Sequence, residues 1–359
     1  MREMRLLHIT ASPFKNEGGV PVVLKELTNE QTTLPGMVVK VLSLKTNKSL
    51  IKNELFENLD GRTFEQYVCD FKPDIAILHS FFYWEFNTPA RVLHKLGIPY
   101  YIEPHGSFGH EAMRKGFLKK VIANNTVFRC QLKYAKSFIF LNEAEMRDSI
   151  YRKDDDIIIP NGINRNKVNL NIGNPDIEPM LYFIGRYDIH HKGLDRLFEA
   201  LKILDKNGAK LKIMLYGKGN DKESSQIQHW INELNNIQVI DNGSITFDKQ
   251  RLLFDSKGIM LLTSRYEGFP VTILEALSFG NPSLVTNGTN MADEIEDNLL
   301  GWKVGDEPSE IAHAIINAIE EYKKEPCEYI KRCKKYVMEN YTWDVIARKS
   351  YDVLNEKLA

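Results

Sequence analysis

Short apolar runs rich in β-branched residues alternate with stretches at helical spacing along the whole chain. The runs at 5–10, 38–44, 74–80, 99–105, 137–142 and 156–160 are followed by a second series at 180–185, 210–217, 237–241, 258–264, 282–286 and 301–304. Each is apolar at consecutive rather than alternate positions, the pattern of strands in a parallel sheet covered by helices on both faces. Strand and helix alternating this often predict an α/β fold. Six strands per half predict two doubly wound, Rossmann-like domains rather than a single eight-stranded barrel. The Asn-, Gly- and Pro-rich segment 161–180 reads as the linker between them. The domains are therefore expected at 1–165 and 166–340. A helix over 341–359 follows, with Val345, Ile346, Tyr351 and Leu354 on its apolar stripe.

Composition narrows the class. A formal net charge of −1 over 359 residues argues against a nucleic-acid partner, which needs a basic face. No run of 18 uncharged apolar residues is present to span a membrane. The opening "MREMRLLHITASPF" reads as a first strand rather than a signal peptide. Cys69, Cys130, Cys327 and Cys333 form no C-x-x-C pair and read as free thiols of a reducing, cytoplasmic compartment.

The candidate chemistry lies at strand ends. In "SRYEGFPVTILEALSFG" (264–280), Glu267 falls in a loop and Glu275 about a turn into a helix that Pro270 opens and Gly280 closes. The amides of Val271 and Thr272 would form an anion site at the carboxyl edge of the sheet. A carboxylate beside such a site accepts hydrogen bonds from the hydroxyls of a vicinal diol. The bland alternative is that Glu267 caps the helix and Glu275 is solvated. In "FIGRYDIHHKGLDRLFEA" (183–200), Arg186 and Lys192 flank the turn after another strand, and both suit a diphosphate. Gly217 follows the next strand in "LYGKGND". In the first half, Gly18 and Gly19 precede a helix, where glycine lets the backbone approach a phosphate. His79 and His105 end neighbouring strands; a lone histidine there serves structure more often than catalysis.

Taken together, "EGFPVTILEA", "GRYDIHHKGLDRL", "YGKG", "PNGIN", "PHGSFG" and "GGV" resemble the family 4 retaining glycosyltransferases of bacterial polysaccharide and glycolipid synthesis, over nearly the full chain and in that family's order. The resemblance implies a GT-B fold, with two Rossmann-like domains facing across a cleft and the C-terminal helix crossing back to the first. It implies a nucleotide-sugar donor, a UDP-sugar first and a GDP-sugar next, with retention of configuration and neither metal nor cofactor. Glu267 matches the glutamate that contacts donor-sugar hydroxyls. Gly268, Phe269 and Pro270 match the backbone that lines the sugar, and Glu275 matches the ribose-binding glutamate. Arg186 and Lys192 match the diphosphate pair, Gly19 the glycine loop, and His105 a histidine near the transferred sugar. One departure is Asn142, where the family often has Ser.

The segment 114–136 carries seven Lys or Arg and no acid, with Phe117, Val121, Phe128 and Leu132 at roughly helical spacing. Such a face suits an anionic membrane leaflet and a glycan or lipid-linked glycan acceptor in cell-surface polysaccharide synthesis. A core helix with a solvated cationic side is the alternative. Two other functions share the fold: a sugar isomerase or phosphorylase, and a non-catalytic nucleotide-sugar binder. No convincing anchor for pyridoxal phosphate is found, and the full set of acidic and basic positions argues against the binder.

Overall fold

The computed structural model describes residues 3–11, 19–45, 54–114, 117–168 and 178–358. Gly18 and Lys115 lie outside them. The chain forms two compact units, one of residues 1–162 with 342–359 and one of residues 163–341.

The first unit holds a seven-stranded parallel sheet of β1 (Met4–Thr10), β2 (Met37–Ser43), β3 (Phe56–Asn58), β4 (Ile75–His79), β5 (Tyr100–Glu103), β6 (Ser137–Phe140) and β7 (Ile157–Ile158). Their order is β3-β2-β1-β4-β5-β6-β7. The three-residue β3 escaped the sequence reading because "FEN" offers no apolar run to recognise. Residues of β1, β4, β5 and β6 are buried almost throughout, as a sheet covered on both faces requires. Phe81, Phe108, Phe128 and Phe138 pack edge-on or tilted between the sheet and its helices. The helix Trp343–Glu356 packs on the helix Gly19–Gln31 of the same unit. It buries Trp343, Ile346, Ala347, Ser350 and Leu354, while Val345 and Tyr351 are only half-buried.

The second unit holds a six-stranded parallel sheet of β8 (Met180–Ile184), β9 (Lys212–Tyr216), β10 (Gln238–Asp241), β11 (Gly258–Leu262), β12 (Ser283–Thr286) and β13 (Gly301–Val304). The order is β10-β9-β8-β11-β12-β13. The chain thus winds outward from β8 in one direction, then returns to β11 on the other side. That reversal point is where open α/β sheets take their ligands. The corresponding reversal in the first unit lies between β1 and β4.

The segment expected to present one basic helical face is interrupted after Asn125, between the helices Phe117–Asn125 and Arg129–Tyr134. The break has a local cause. Asn125 Nδ2 and Thr126 Oγ1 bond the carbonyls of Val121 and Ile122 at 2.9 and 2.7 Å, and Phe128 N reaches back to Ala123 O at 2.8 Å. These bonds compete with the helical ladder and end it. Among the described residues, no helix is long and apolar enough to cross a membrane.

Candidate functional site

The site of the second unit is assembled where β8 and β11 lie side by side. After β8, Asp188 caps a short helix, Ile189–Lys192, by accepting from His191 N at 3.1 Å. Gly193 then turns the chain with φ +61°, and a Cβ there would sit 1.9 Å from Thr263 O. Only glycine permits that approach. Thr263 Oγ1 donates to Gly193 O at 2.9 Å, Arg265 N to His191 O at 2.9 Å, and the Arg265 guanidinium grips Asp195 through two bonds of 2.7 and 2.6 Å. The turn after β8 is thereby clamped to the loop after β11.

The clamp brings Lys192 Nζ to 2.5 Å from Glu267 Oε1, with both side chains mostly buried. Ser264 Oγ donates to the same carboxylate oxygen at 2.6 Å, and His191 Nε2 lies 3.7 Å from the other. His191 stacks on Tyr266 with ring centroids 4.2 Å apart, and burial lowers its pKa. On the far side, Asn290 Nδ2 donates to Glu267 O, and Thr286 Oγ1 donates to Ser264 O at 2.8 Å. The glutamate loop is held from both neighbouring strands, which fixes its carboxylate before any ligand arrives. Ser264, His191 and Asn290 carried no sequence signal, because polar residues in loops are too common to stand out.

The other expected residues divide. Gly217 follows β9 with no room for a side chain, since a Cβ would lie 2.0 Å from Gly185 O. Its neighbourhood is tied down by Tyr187 Oη donating to Asp241 Oδ1 at 2.7 Å. Arg186 is on the same edge but largely exposed, 3.5 Å from Asp188 rather than beside Glu267. Gly268, Phe269 and Pro270 form the loop into the helix Val271–Ser278. Pro270 stands just outside that helix rather than in its first turn, and Val271 N is spent on Phe269 O at 3.0 Å. The expected free amide at Val271 is thus corrected: a tight turn through Pro270 consumes it. Glu275, two turns of chain away from Glu267, accepts from Gln250 Nε2 at 2.9 Å. It lines a cavity of about 230 Å³ with Gln250, Arg251, Phe254, Phe279, Ile163 and Asn166. Sequence reading missed Gln250, which has no motif of its own.

In the first unit, Gly19 begins the helix Gly19–Gln31. His105 and Gly106 both take positive φ, +50° and +79°, in the turn after β5. Gly106 N and Leu141 N donate to Glu145 at 2.5 and 2.7 Å, and burial raises that carboxyl's pKa to about 7. Asn142 caps the helix Glu143–Asp148 by accepting from Glu145 N at 2.7 Å, so it meets the capping need that Ser would also meet. His79, Glu103 and His105 place donor atoms within 4.8 Å of one another, the single cluster among the described residues with spacing suited to a metal ion. Burial lowers the pKa of both His8 and His79 to about 3 and raises that of Glu103. Both rings are neutral at neutral pH; His79 Nε2 lies 2.8 Å from His8 Nδ1, and His79 Nδ1 lies 3.4 Å from His105 Nε2.

Two Rossmann-like units of parallel sheet, each with its polar residues at a reversal point, are those of a GT-B glycosyltransferase fold. The HepE protein of Anabaena, crystallised with UDP, shares it with a TM-score of 0.72 at 16% identity, covering 98% of this chain and 100% of that one. Residues 165–339, nearly all of the second unit, match the family described as glycosyl transferases group 1. An uncharacterised glycosyltransferase of Methanocaldococcus jannaschii is 30% identical over 229 residues, 57% of this chain and 55% of the relative. The N,N'-diacetylbacillosaminyl-diphospho-undecaprenol alpha-1,3-N-acetylgalactosaminyltransferase of Campylobacter jejuni is 26% identical over 253 residues, 63% of each. The chain thus spans between half and two thirds of the length of these two curated relatives.

Proposed function

We propose that this protein is a retaining, metal-independent glycosyltransferase that moves a hexosyl group from a nucleotide-sugar to a glycan or lipid-linked glycan acceptor. The observation that carries the reading is the Lys192–Glu267 pair, held by a double clamp at the reversal point of the second sheet. A cation and a carboxylate fixed side by side suit a ligand with phosphate at one end and hydroxyls at the other. Lys192 meets the diphosphate, with Arg186 on the same sheet edge, and Glu267 orients the sugar. The family resemblance assigns Glu275 to the ribose and His105 to the transferred sugar. In the transfer, the bond from the anomeric carbon to the phosphate oxygen breaks and one to the acceptor oxygen forms on the same face. The acceptor's proton passes to the departing phosphate oxygen. Arg186 and Lys192 stabilise the charge that develops there.

UDP is the favoured nucleotide, as in the HepE complex. The test is release of free nucleoside diphosphate from UDP- and GDP-sugars, with and without acceptor and with EDTA. Acceptor-dependent release that survives EDTA is expected. Release without acceptor, or loss with EDTA and recovery on adding Mn²⁺, would overturn the corresponding part. Glu275→Ala is expected to weaken binding of the bare nucleotide, read by calorimetry; an unchanged Kd would remove Glu275 from the site.

A lipid-linked acceptor, such as the diphospho-undecaprenol in the name of the Campylobacter enzyme, suits the first unit's surface. Trp84 is 71% exposed and Ile122 64%, with Val127 also exposed. They accompany Lys119, Arg129, Lys133 and Lys136, all exposed. Phe82 packs edge-on against Phe128, and Lys120 Nζ lies 5.2 Å over the Phe82 ring, which joins the loop after β4 to the basic segment. Exposed tryptophan and exposed cations on one unit are the composition of an interfacial anchor. Binding to anionic vesicles should fall on Lys119→Ser with Lys133→Ser, by about 1 kcal/mol per cation, and again on Trp84→Ser. Failure of the wild type to bind such vesicles at low salt would leave this face merely solvated.

A further inference from the structure

The second unit carries another cleft, on the sheet edge opposite Lys192 and Glu267. Its strands all run parallel, and Lys192 and Glu267, which follow β8 and β11, lie at their carboxyl ends. Leu299 and Trp302 straddle the start of β13, at its amino end. The helix Pro308–Lys324 returns the chain there, so that Glu321, Glu325, Tyr329 and Arg332 line the same cavity of about 370 Å³.

The floor of this cleft is aromatic and fixed. Trp302 Nε1 donates to Glu321 Oε2 at 2.6 Å, which sets the plane of the indole. The Trp302 and Tyr329 rings meet with centroids 5.0 Å apart and planes inclined by 38°. The Arg332 guanidinium lies 4.6 Å over Tyr329, and its Nε donates to Leu299 O at 3.1 Å. With Tyr329 covered, the half-buried indole is the aromatic surface left to a ligand. The rim alternates in sign. Glu325 pairs with Arg332 at 3.4 Å, and Glu296 with Lys303 at 3.7 Å. Glu321, Glu325 and Glu296 each meet these partners through one oxygen, which leaves the other as an acceptor.

Leu299 adds an independent sign of use. It follows the helix Ala292–Asp297 with φ +52°. Its N–H reaches Glu296 O at 3.0 Å, and Leu300 N reaches Ile295 O at 2.9 Å. Glycine or asparagine usually fills that position of a helix end. A leucine takes it at a cost. Its side chain is 60% exposed, so burial does not offset that cost. An apolar side chain held out at backbone expense points to a ligand rather than to the fold.

We propose that this cleft is a second binding site, for a neutral saccharide chain. An anion would meet three carboxylates, and a cation would meet Lys303 and Arg332. Hydroxyls both donate and accept, so a neutral polyol satisfies a rim of mixed charge. The C–H face of a pyranose ring lies on the indole, with Leu299 against its edge. Holding a glycan here keeps it at high effective concentration while the other sheet edge acts. Only that last use rests on the transferase reading above.

The experiment is saturation-transfer NMR of maltohexaose, cellohexaose and chitohexaose with the full chain at millimolar sugar. At least one is expected to bind, and saturating UDP should not displace it. Trp302→Ala is expected to weaken that binding by about tenfold or more, as loss of an aromatic anchor does. Because the indole also packs on Tyr329, Leu299→Gly is the second variant. Glycine suits the left-handed position, so Tm should hold or rise while binding still weakens. Binding of none of the three sugars, displacement by UDP, or wild-type affinity in both variants would each overturn the proposal. Tighter binding of spermine or tripolyphosphate, lost on Trp302→Ala, would assign the cleft to a charged ligand and overturn it too. Failure of the transferase assay with saccharide binding intact would sink only the retention of a glycan for transfer.

Discussion

Replacing Glu267 with Gln should lower kcat by about 10²–10³-fold while leaving the Kd for the bare nucleoside diphosphate close to wild type. The substitution keeps the size of the side chain and one carbonyl acceptor, so Ser264 and the loop geometry are retained. What is lost is the charge opposite Lys192 and one of two acceptor oxygens. If Glu267 orients the sugar, the loss is felt where the sugar reacts and not where the nucleotide binds. Single-turnover rates and calorimetric Kd on the same protein decide the matter. A Kd weakened as much as by Glu275→Ala would assign both carboxylates to the nucleotide and end the division of roles.

Gly193→Ala should be among the most damaging single methyl groups in the second unit. The alanine must take φ +61°, which costs about 1–2 kcal/mol for a side chain with Cβ. Its Cβ must also displace Thr263 O, 1.9 Å away, from a loop bonded to the same turn by Thr263 Oγ1 and Arg265 N. Overpacking of this kind adds about 1–3 kcal/mol. At roughly 2–4 °C per kcal/mol for a unit of this size, Tm should drop by several degrees or more. Because the turn carries Lys192, transfer should be lost in the fraction that stays folded. Gly208→Ala is the control, since its φ is +77° but nothing lies within 4 Å. If the two substitutions destabilise equally, the close approach to Thr263 is not what makes Gly193 necessary.

The architecture was legible because fully buried strands write themselves as unbroken apolar runs, and the twelve expected strands are all present. β3 was not legible, since three residues with one apolar side chain carry no period. The basic segment misled for a different reason: hydrophobic spacing continued through Asn125 and Thr126, whose side chains end the helix. Glu267 and Lys192 could be singled out by their strand-end positions, but their meeting depends on Gly193 and the Arg265–Asp195 grip, which no local pattern announces. The buried hydrogen-bonded run of His79, His8, Gln31 and Ser350 was invisible in the sequence. His8 and His79 are 71 positions apart, and Gln31 and Ser350 are 319 apart, so only folding reveals that they share one hydrogen-bond path.

That last separation bears on how the chain is made. The second unit is a continuous stretch, whereas the first is completed by residues 342–359. During synthesis, β1 through β7 leave the ribosome while the helix that covers Gln31 does not yet exist. The first unit must wait, unfinished, until all of the second has emerged, which is then free to fold ahead of it. A ribosome stalled before Trp343 would therefore hold a complete second unit and a first unit in which Gln31 still lacks Ser350 as its partner.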